Sequence, residues 1–314
     1  MAVVTTFDAW CSSLAARGCG SSVAGRRSNP GLFPGRVALC GLERRRLRDP
    51  QQTRELFERV QPTHVLHLAA LVGGLFHNLS RKVDFFRENM AINDAVLQCC
   101  QQFHVKKLVS YDAAQWPISQ LNEGYAMAKR LIDTLNRCYA DQFGCNFTSV
   151  IPTNIYGPHD NFNIDDGHVV PGLIHKCYLA KRDSTPFVIW GSGKPLRQFI
   201  YSHDVARLML WTLDHYDSVE PLILSVGEED EVPIGDVAQE IAAAMDFRGE
   251  IVFDTSKADG QFKKTASNAK LRRLLPDFQF TTDRQRFAAD HSLVRGELRE
   301  NTEIVGKNLF MFAC

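Results

Sequence analysis

Tyr125 and Lys129 stand four residues apart in the run Tyr125-Ala126-Met127-Ala128-Lys129. On a helix that spacing puts a phenol and an ammonium on one face, roughly 5–6 Å apart at Cβ. A phenol ordinarily titrates near about 10. A cation held beside it favours the phenolate and lets the hydroxyl exchange a proton near neutral pH. Such a group can protonate the oxygen of a ketone as its carbon is reduced. Y-x-x-x-K also arises by chance on solvated helix faces, so its setting must decide.

Other segments offer surfaces that suit a nucleotide. His67-Leu68-Ala69-Ala70 closes a buried apolar run, and Leu71-Val72-Gly73-Gly74 follows. Residues this small let a flat cofactor lie against the backbone, and they equally make a tight strand-to-loop turn. Pro152-Thr153-Asn154-Ile155 begins a rigid polar loop that runs on through Tyr156, Gly157 and Pro158, a place for a nicotinamide ring or simply a strand terminus. Trp190-Gly191-Ser192-Gly193, followed by Lys194 and Arg197, presents an indole, a flexible backbone and a guanidinium able to fork onto phosphate, or else a basic turn between strands. His159, His168 and His175 match no common zinc spacing, so no metal site is expected.

The elements that would position these residues alternate. Residues 51–60 read as a helix with Leu56, Phe57 and Val60 on one face, and residues 63–68 as a buried strand. A long helix over 78–103, a strand over 107–111, the Tyr125 helix to about 143 and a strand over 147–151 follow. Such alternation implies a Rossmann-like α/β fold, a parallel sheet with helices on both faces and ligands at the carboxyl ends of its strands. Residues 161–197 and 228–280 leave the alternation and read as a smaller α/β domain over that edge, while 199–227 return to the sheet. The expected organisation is a divergent segment over 1–45, a dinucleotide-binding core over 46–160 joined by 199–227, a nucleotide-sugar domain over 161–281 and a divergent tail over 282–314.

Composition narrows the class. With 314 residues, 45% of them hydrophobic and 23% charged, the chain can bury a sizeable core. Its 36 basic and 36 acidic residues balance, which leaves no overall field to recruit nucleic acid or an anionic membrane. Nine cysteines without a C-x-x-C pair suit free thiols in a reducing compartment. No apolar run approaches the roughly 20 residues a membrane span needs. The expectation is a cytoplasmic protein; the Arg-, Ser- and Ala-rich residues 1–42 leave organelle targeting as the alternative.

The segments together resemble the extended short-chain dehydrogenases/reductases, and more narrowly the GDP-L-fucose synthase family. The resemblance rests on residues 61–74 (QPTHVLHLAALVGG), 125–130 (YAMAKR), 151–176 (IPTNIYGPHDNFNIDDGHVVPGLIHK), 190–201 (WGSGKPLRQFIY), 224–232 (LSVGEEDEV) and 259–268 (DGQFKKTASN). It covers roughly residues 47–281. The resemblance implies NADP(H) as cofactor, a GDP-sugar as substrate and a homodimer through the helices over 78–103 and 125–143. It implies Tyr125 as the proton donor in ketone reduction, Lys129 as the residue that tunes it and holds the nicotinamide ribose, and His168 as the acid in epimerisation. It also implies cofactor contacts from Ala69, Ala70, Leu71, Lys129, Pro152, Thr153, Asn154, Ile155 and His168, and substrate contacts from Lys176, Trp190, Arg197 and Asp259.

Three places depart from the pattern. The family opens with G-x-x-G-x-x-G at a helix N-terminus, whose backbone donors hold a diphosphate. Gly18, Gly20 and Gly25 lack that spacing and run into Pro30 and Pro34. Between Ser110 and Tyr125 the family carries Ser-Thr-Cys or Ser-Ser-Cys, its serine on the sugar and its cysteine the epimerisation base. Here the text is Tyr111-Asp112-Ala113-Ala114-Gln115-Trp116. The residues after about 282 also diverge. Two expectations follow: an NADPH-dependent epimerase/reductase with impaired chemistry, or a non-catalytic chain that keeps nucleotide-sugar binding and dimerisation.

Overall fold

A computed structural model of the chain describes residues 2–5, 37–40, 47–72, 80–112, 123–158, 160–164, 167–257, 259 and 261–281. In chain order these form β1 (Ala2–Thr5), β2 (Val37–Cys40), α1 (Pro50–Val60), β3 (His64–His67), α2 (Lys82–Gln102), β4 (Lys107–Tyr111), α3 (Glu123–Phe143), β5 (Phe147–Pro152), β6 (Asn154–Tyr156) and α4 (Val169–Asp183). Then come β7 (Phe187–Trp190), β8 (Leu196–Arg197), β9 (Phe199–Tyr201), α5 (Ser202–His215), β10 (Leu222–Leu224), β11 (Val232–Pro233), α6 (Ile234–Ala244), β12 (Ile251–Asp254) and α7 (Ala269–Leu274). They divide into two compact units. The first holds the described residues through Pro152 together with Val205–Leu224, and the second holds the described residues of Thr153–Asp204 and those from Ser225 to Thr281.

Local chemistry explains the first unit's elements. Asp49 caps α1 by accepting from the backbone N–H groups of Gln51 (2.9 Å) and Gln52 (3.1 Å), and Pro50 occupies the first turn. The helix stops where Gln61 turns left-handed and donates to the Phe57 carbonyl. Thr53, Leu56, Phe57 and Val60 form its buried stripe. Leu56, Phe57 and Val60 join Val65, Ile92, Val96, Leu97, Leu108, Ile132 and Phe147 in one core.

Six strands pair in parallel in the order β10-β5-β4-β3-β1-β2. β1 has β2 on one side (Ala2↔Val37) and β3 on the other (Ala2↔His64). The strand order therefore reverses at β1. In an open α/β sheet that reversal creates the crevice where ligands bind, outside the carboxyl ends of the strands. β1 and β2 lie within 1–45, outside the expected alternation. Strands of four residues leave too little pattern to detect, and the pairing of β1 with β3 and of β2 with β1 is what fixes them. The glycines between them, the Gly73-Gly74 pair, residues 113–122 and the tail over 282–314 lie outside the described residues.

The second unit is built from two-stranded pairs: β6 with β9 (Ile155↔Ile200), β7 with β12 (Trp190↔Asp254), both parallel, and antiparallel β8 with β11 (Arg197↔Val232). Its core gathers Tyr156, Leu173, Ile174, Cys177, Phe187, Ile189, Val237 and Ile241. This corrects two expected boundaries. Residues 153–160 belong here because β6 pairs with β9, and Phe199–Tyr201 do not return to the large sheet for the same reason. The chain rejoins the first unit at Val205. The long helix spans Lys82–Gln102, and residue 78, where it was expected to begin, lies outside the described residues. Among the described residues no helix is long and apolar enough to cross a membrane.

Candidate active site

In the first unit, α3 carries Tyr125 and Lys129, as the spacing requires. Its start is fixed by a close crossing: a side chain at Gly124 would run into the Lys82 backbone carbonyl at the start of α2. One residue on, the Tyr125 ring meets Phe85 edge to face with centroids 6.5 Å apart. Lys129 is 1% exposed. Its Nζ donates to the Tyr111 carbonyl at 3.3 Å and lies 5.0 Å from the centre of the Tyr111 ring.

Charge states follow from that burial. Loss of water brings the Lys129 ammonium down to about 8, with the Asp112 carboxylate opposing the drop. Burial pushes the Tyr125 phenol well above its ordinary value, and Tyr111 and Asp112 push the same way. Tyr111 itself rises to about 12 through burial and Asp112. This corrects the expectation of a phenol drawn toward neutrality by Lys129. The lysine is turned to Tyr111, and desolvation of a phenolate outweighs attraction at a distance. At neutral pH the centre holds a protonated Tyr125 beside a cation that parts with its proton readily.

Behind it, α2 presents two fully buried asparagines one turn apart, Asn89 and Asn93. Asn89 grips Leu71: the Leu71 N–H donates to Oδ1 (2.7 Å) and Nδ2 donates to the Leu71 carbonyl (3.0 Å). Ala69 and Ala70, just before, are buried at the carboxyl end of β3. Asn93 Nδ2 donates to the Ala128 carbonyl (3.3 Å), and His67 Nε2 lies 3.0 Å from Asn93 Oδ1. Pro152 ends β5, buried. Small buried residues beside the strand-order reversal, with one backbone pinned in place, fit a dinucleotide lying against the sheet edge.

The second unit holds the rest. Thr153 Oγ1 donates to Ser225 Oγ (3.3 Å), Asn154 donates to the Gln198 carbonyl from both its backbone and its side chain, and Ile155 is half-buried in β6. His168 precedes α4 with its side chain 75% exposed, Nδ1 3.7 Å from Asp160 Oδ1. The Asp160 carboxylate beside it raises its pKa. An exposed histidine biased toward its protonated form is a ready acid. His175 is tied through Nδ1 to the Phe162 carbonyl at 2.7 Å.

Lys176 Nζ sits 3.4 Å from the centre of the exposed Trp190 ring, and burial lowers its pKa to about 8 against the pull of Asp254. The carboxylate of Asp259 accepts from Ser192, through the backbone N–H (2.6 Å) and the hydroxyl (2.5 Å), and holds the turn after Trp190. Gly191 (φ +87) fits under Asp259 because it has no side chain. Arg197 and Lys264 face each other as like charges. Burial lowers both, and Arg197 lowers Lys264 further. Glu231, which pulls on Arg197, accepts from Thr265 (2.7 Å) and pairs with Lys263 at 3.5 Å. Two adjacent cations of this kind are suited to a diphosphate.

Sequence reasoning missed Tyr111 and Asp112 beside Lys129, the two asparagines of α2, Lys264, and Gln198. The Gln198 side chain is buried and bonds the carbonyls of Val226, Gly227 and Ala266 and the Ala266 N–H. Lys264 had a visible signal in the Lys263-Lys264 pair, and Tyr111-Asp112 stood out only as a departure from the family pattern.

A parallel sheet in this order, with Tyr125 and Lys129 on the helix between β4 and β5, defines an extended short-chain dehydrogenase/reductase, and residues 8–227 match the NAD dependent epimerase/dehydratase family. Relatives include a GDP-L-fucose synthase of Dictyostelium discoideum, 57% identical over 256 residues (76% of this chain, 80% of that protein). A probable GDP-L-fucose synthase of Drosophila melanogaster is 50% identical over 253 residues (73% and 79%). A crystal structure of a GDP-L-fucose synthetase from Naegleria fowleri bound to NADP superposes with a TM-score of 0.82 at 42% identity, covering 95% of this chain and 93% of that one. The chain belongs to the GDP-L-fucose synthase family.

Proposed function

We propose that the chain converts GDP-4-keto-6-deoxy-D-mannose to GDP-L-fucose as an NADPH-dependent epimerase/reductase, in de novo GDP-fucose synthesis. The observation that carries this is a half-buried Tyr125 and a buried Lys129 on one turn of α3, in a chain 57% identical to a GDP-L-fucose synthase. NADPH supplies the hydride. Ala69, Ala70, Leu71, Lys129, Pro152, Thr153, Asn154, Ile155 and His168 hold the cofactor, while Lys176, Trp190, Arg197, Lys264 and Asp259 hold the GDP-sugar. His168 protonates carbon during epimerisation. Tyr125, kept protonated by its surroundings, then gives its proton to the sugar oxygen at C4. We place the enzyme in the cytoplasm as a homodimer through α2 and α3.

A second reading rests on a specific observation. Tyr111 and Asp112 follow Ser110 where the family's serine and cysteine are expected, and Lys129 is engaged by Tyr111. A chain of that kind binds the GDP-sugar and dimerises without turnover. NADPH titration followed by cofactor fluorescence separates the two. Saturation at micromolar NADPH, with oxidation on adding the GDP-keto sugar, supports the enzyme; no binding at millimolar NADPH overturns it.

A further inference from the structure

We propose that Asn93, acting together with His67, is a positioning residue for Lys129, and that this buried bridge from β3 through α2 to α3 sets where the lysine ammonium stands. The proposal rests on the enzyme reading above for its kinetic consequence only. Asn93 Nδ2 is committed to the Ala128 carbonyl, the peptide immediately before Lys129. Its Oδ1 therefore faces His67, and His67 Nε2 must carry the hydrogen that fills the 3.0 Å contact. His67 is the last residue of β3, and residues 68–71 follow it directly.

The bridge is an expensive way to fill the space. His67 and Asn93 are each 1% exposed. Apolar side chains of similar volume would pack there without desolvating an amide and an imidazole. Polar groups in return fix direction, because a hydrogen bond loses strength steeply when misaligned. The groups facing Lys129 are His67, Tyr111 and Asp112, with the Tyr125 phenol on the same helix. Burial and the nearby ammonium lower the His67 pKa to about 3, so the imidazole stays neutral at working pH and adds no second charge. A displacement of α3 would move Lys129 and Tyr125 together, and catalytic groups lose rate quickly when misplaced by an ångström.

The test uses the full chain, a double variant His67→Phe/Asn93→Leu, and His67→Gln. Removing both partners at once leaves neither His67 Nε2 nor Asn93 Oδ1 facing an apolar replacement of the other, which favours folding of the double variant. Side-chain 15N NMR of the lysines follows Lys129 without turnover. In the double variant its titration midpoint should move by at least about one unit, as the ammonium leaves its fixed place beside Tyr111 and Asp112. Its kcat should fall about tenfold with KM for the GDP-keto sugar within about twofold. His67→Gln, whose amide still reaches Asn93 Oδ1, should keep both values close to those of the unaltered chain. An unchanged Lys129 midpoint in the double variant overturns the proposal, and so does a shift in His67→Gln as large as in the double variant. If the unaltered chain turns over no substrate, the enzyme reading fails while the lysine titration still decides the bridge.

Discussion

The two units handle their charges in opposite ways. The first buries them: Lys129, Lys107 and His67 are nearly inaccessible, and desolvation dominates the pKa of each. Lys107 is held by Asn146 Oδ1 (2.6 Å) and Thr148 Oγ1 (2.8 Å), and Lys129 by Tyr111. The second unit leaves His168, Trp190 and Asp259 exposed and buries Lys176 and Arg197 only in part. A proton-transfer centre needs shifted pKa values, which burial supplies. A binding surface needs charges that meet a large ligand, which burial would waste.

The largest expected effect tests the first unit's side of that contrast. Tyr125→Phe removes the proton but keeps the ring that meets Phe85. Steady-state kinetics should show kcat down about 10²–10⁴-fold with the NADPH dissociation constant nearly unchanged. A smaller loss would mean that proton donation lies elsewhere. Arg197→Ala probes the second unit: KM for the GDP-sugar should rise about 10–100-fold, the value of a charge-assisted hydrogen bond or two, with kcat changing little. A loss in kcat instead would break the division of labour.

Next comes the helix crossing. Gly124→Val drives a side chain into the Lys82 carbonyl and should cost about 1–3 kcal/mol, read as a lower melting temperature. The smallest effect is a pH slope. Folded His67 sits near about 3 against 6.5 ordinarily. Between those values the unfolded chain binds more protons, so stability fully present above about 6.5 is lost as pH falls, at about 1.4 kcal/mol per unit from this group. Urea unfolding at pH 7 and pH 5.5 should show that slope in the unaltered chain and its loss in His67→Gln.

Much of the fold was legible because periodicity is written locally. The α1 stripe, the Asp49 cap and the apolar run of β3 require no knowledge of the rest of the chain. β9 was misassigned for the complementary reason: Phe199-Ile200-Tyr201 is buried and extended in any sheet, and its pairing with β6 is a long-range choice. β1 and β2 were missed because four-residue strands carry little pattern of their own. The site divides the same way. Tyr125 and Lys129 can be proposed from a four-residue spacing, and Arg197 from its neighbours, but Asn93 and Asp112 look like ordinary polar residues until the fold buries them.

The sequence by itself determined that this protein alternates helix and strand, that a phenol and an ammonium share one helical face, and that its motifs are those of the GDP-L-fucose synthase family. Backbone periods and fixed spacings decide such things within a few residues. Only the tertiary structure decided that Lys129 turns to Tyr111, that Tyr125 keeps its proton, and that Asn93 stands between His67 and the lysine's own peptide. Those outcomes depend on water excluded by elements far apart in the chain, and exclusion of water is a property of the packed molecule.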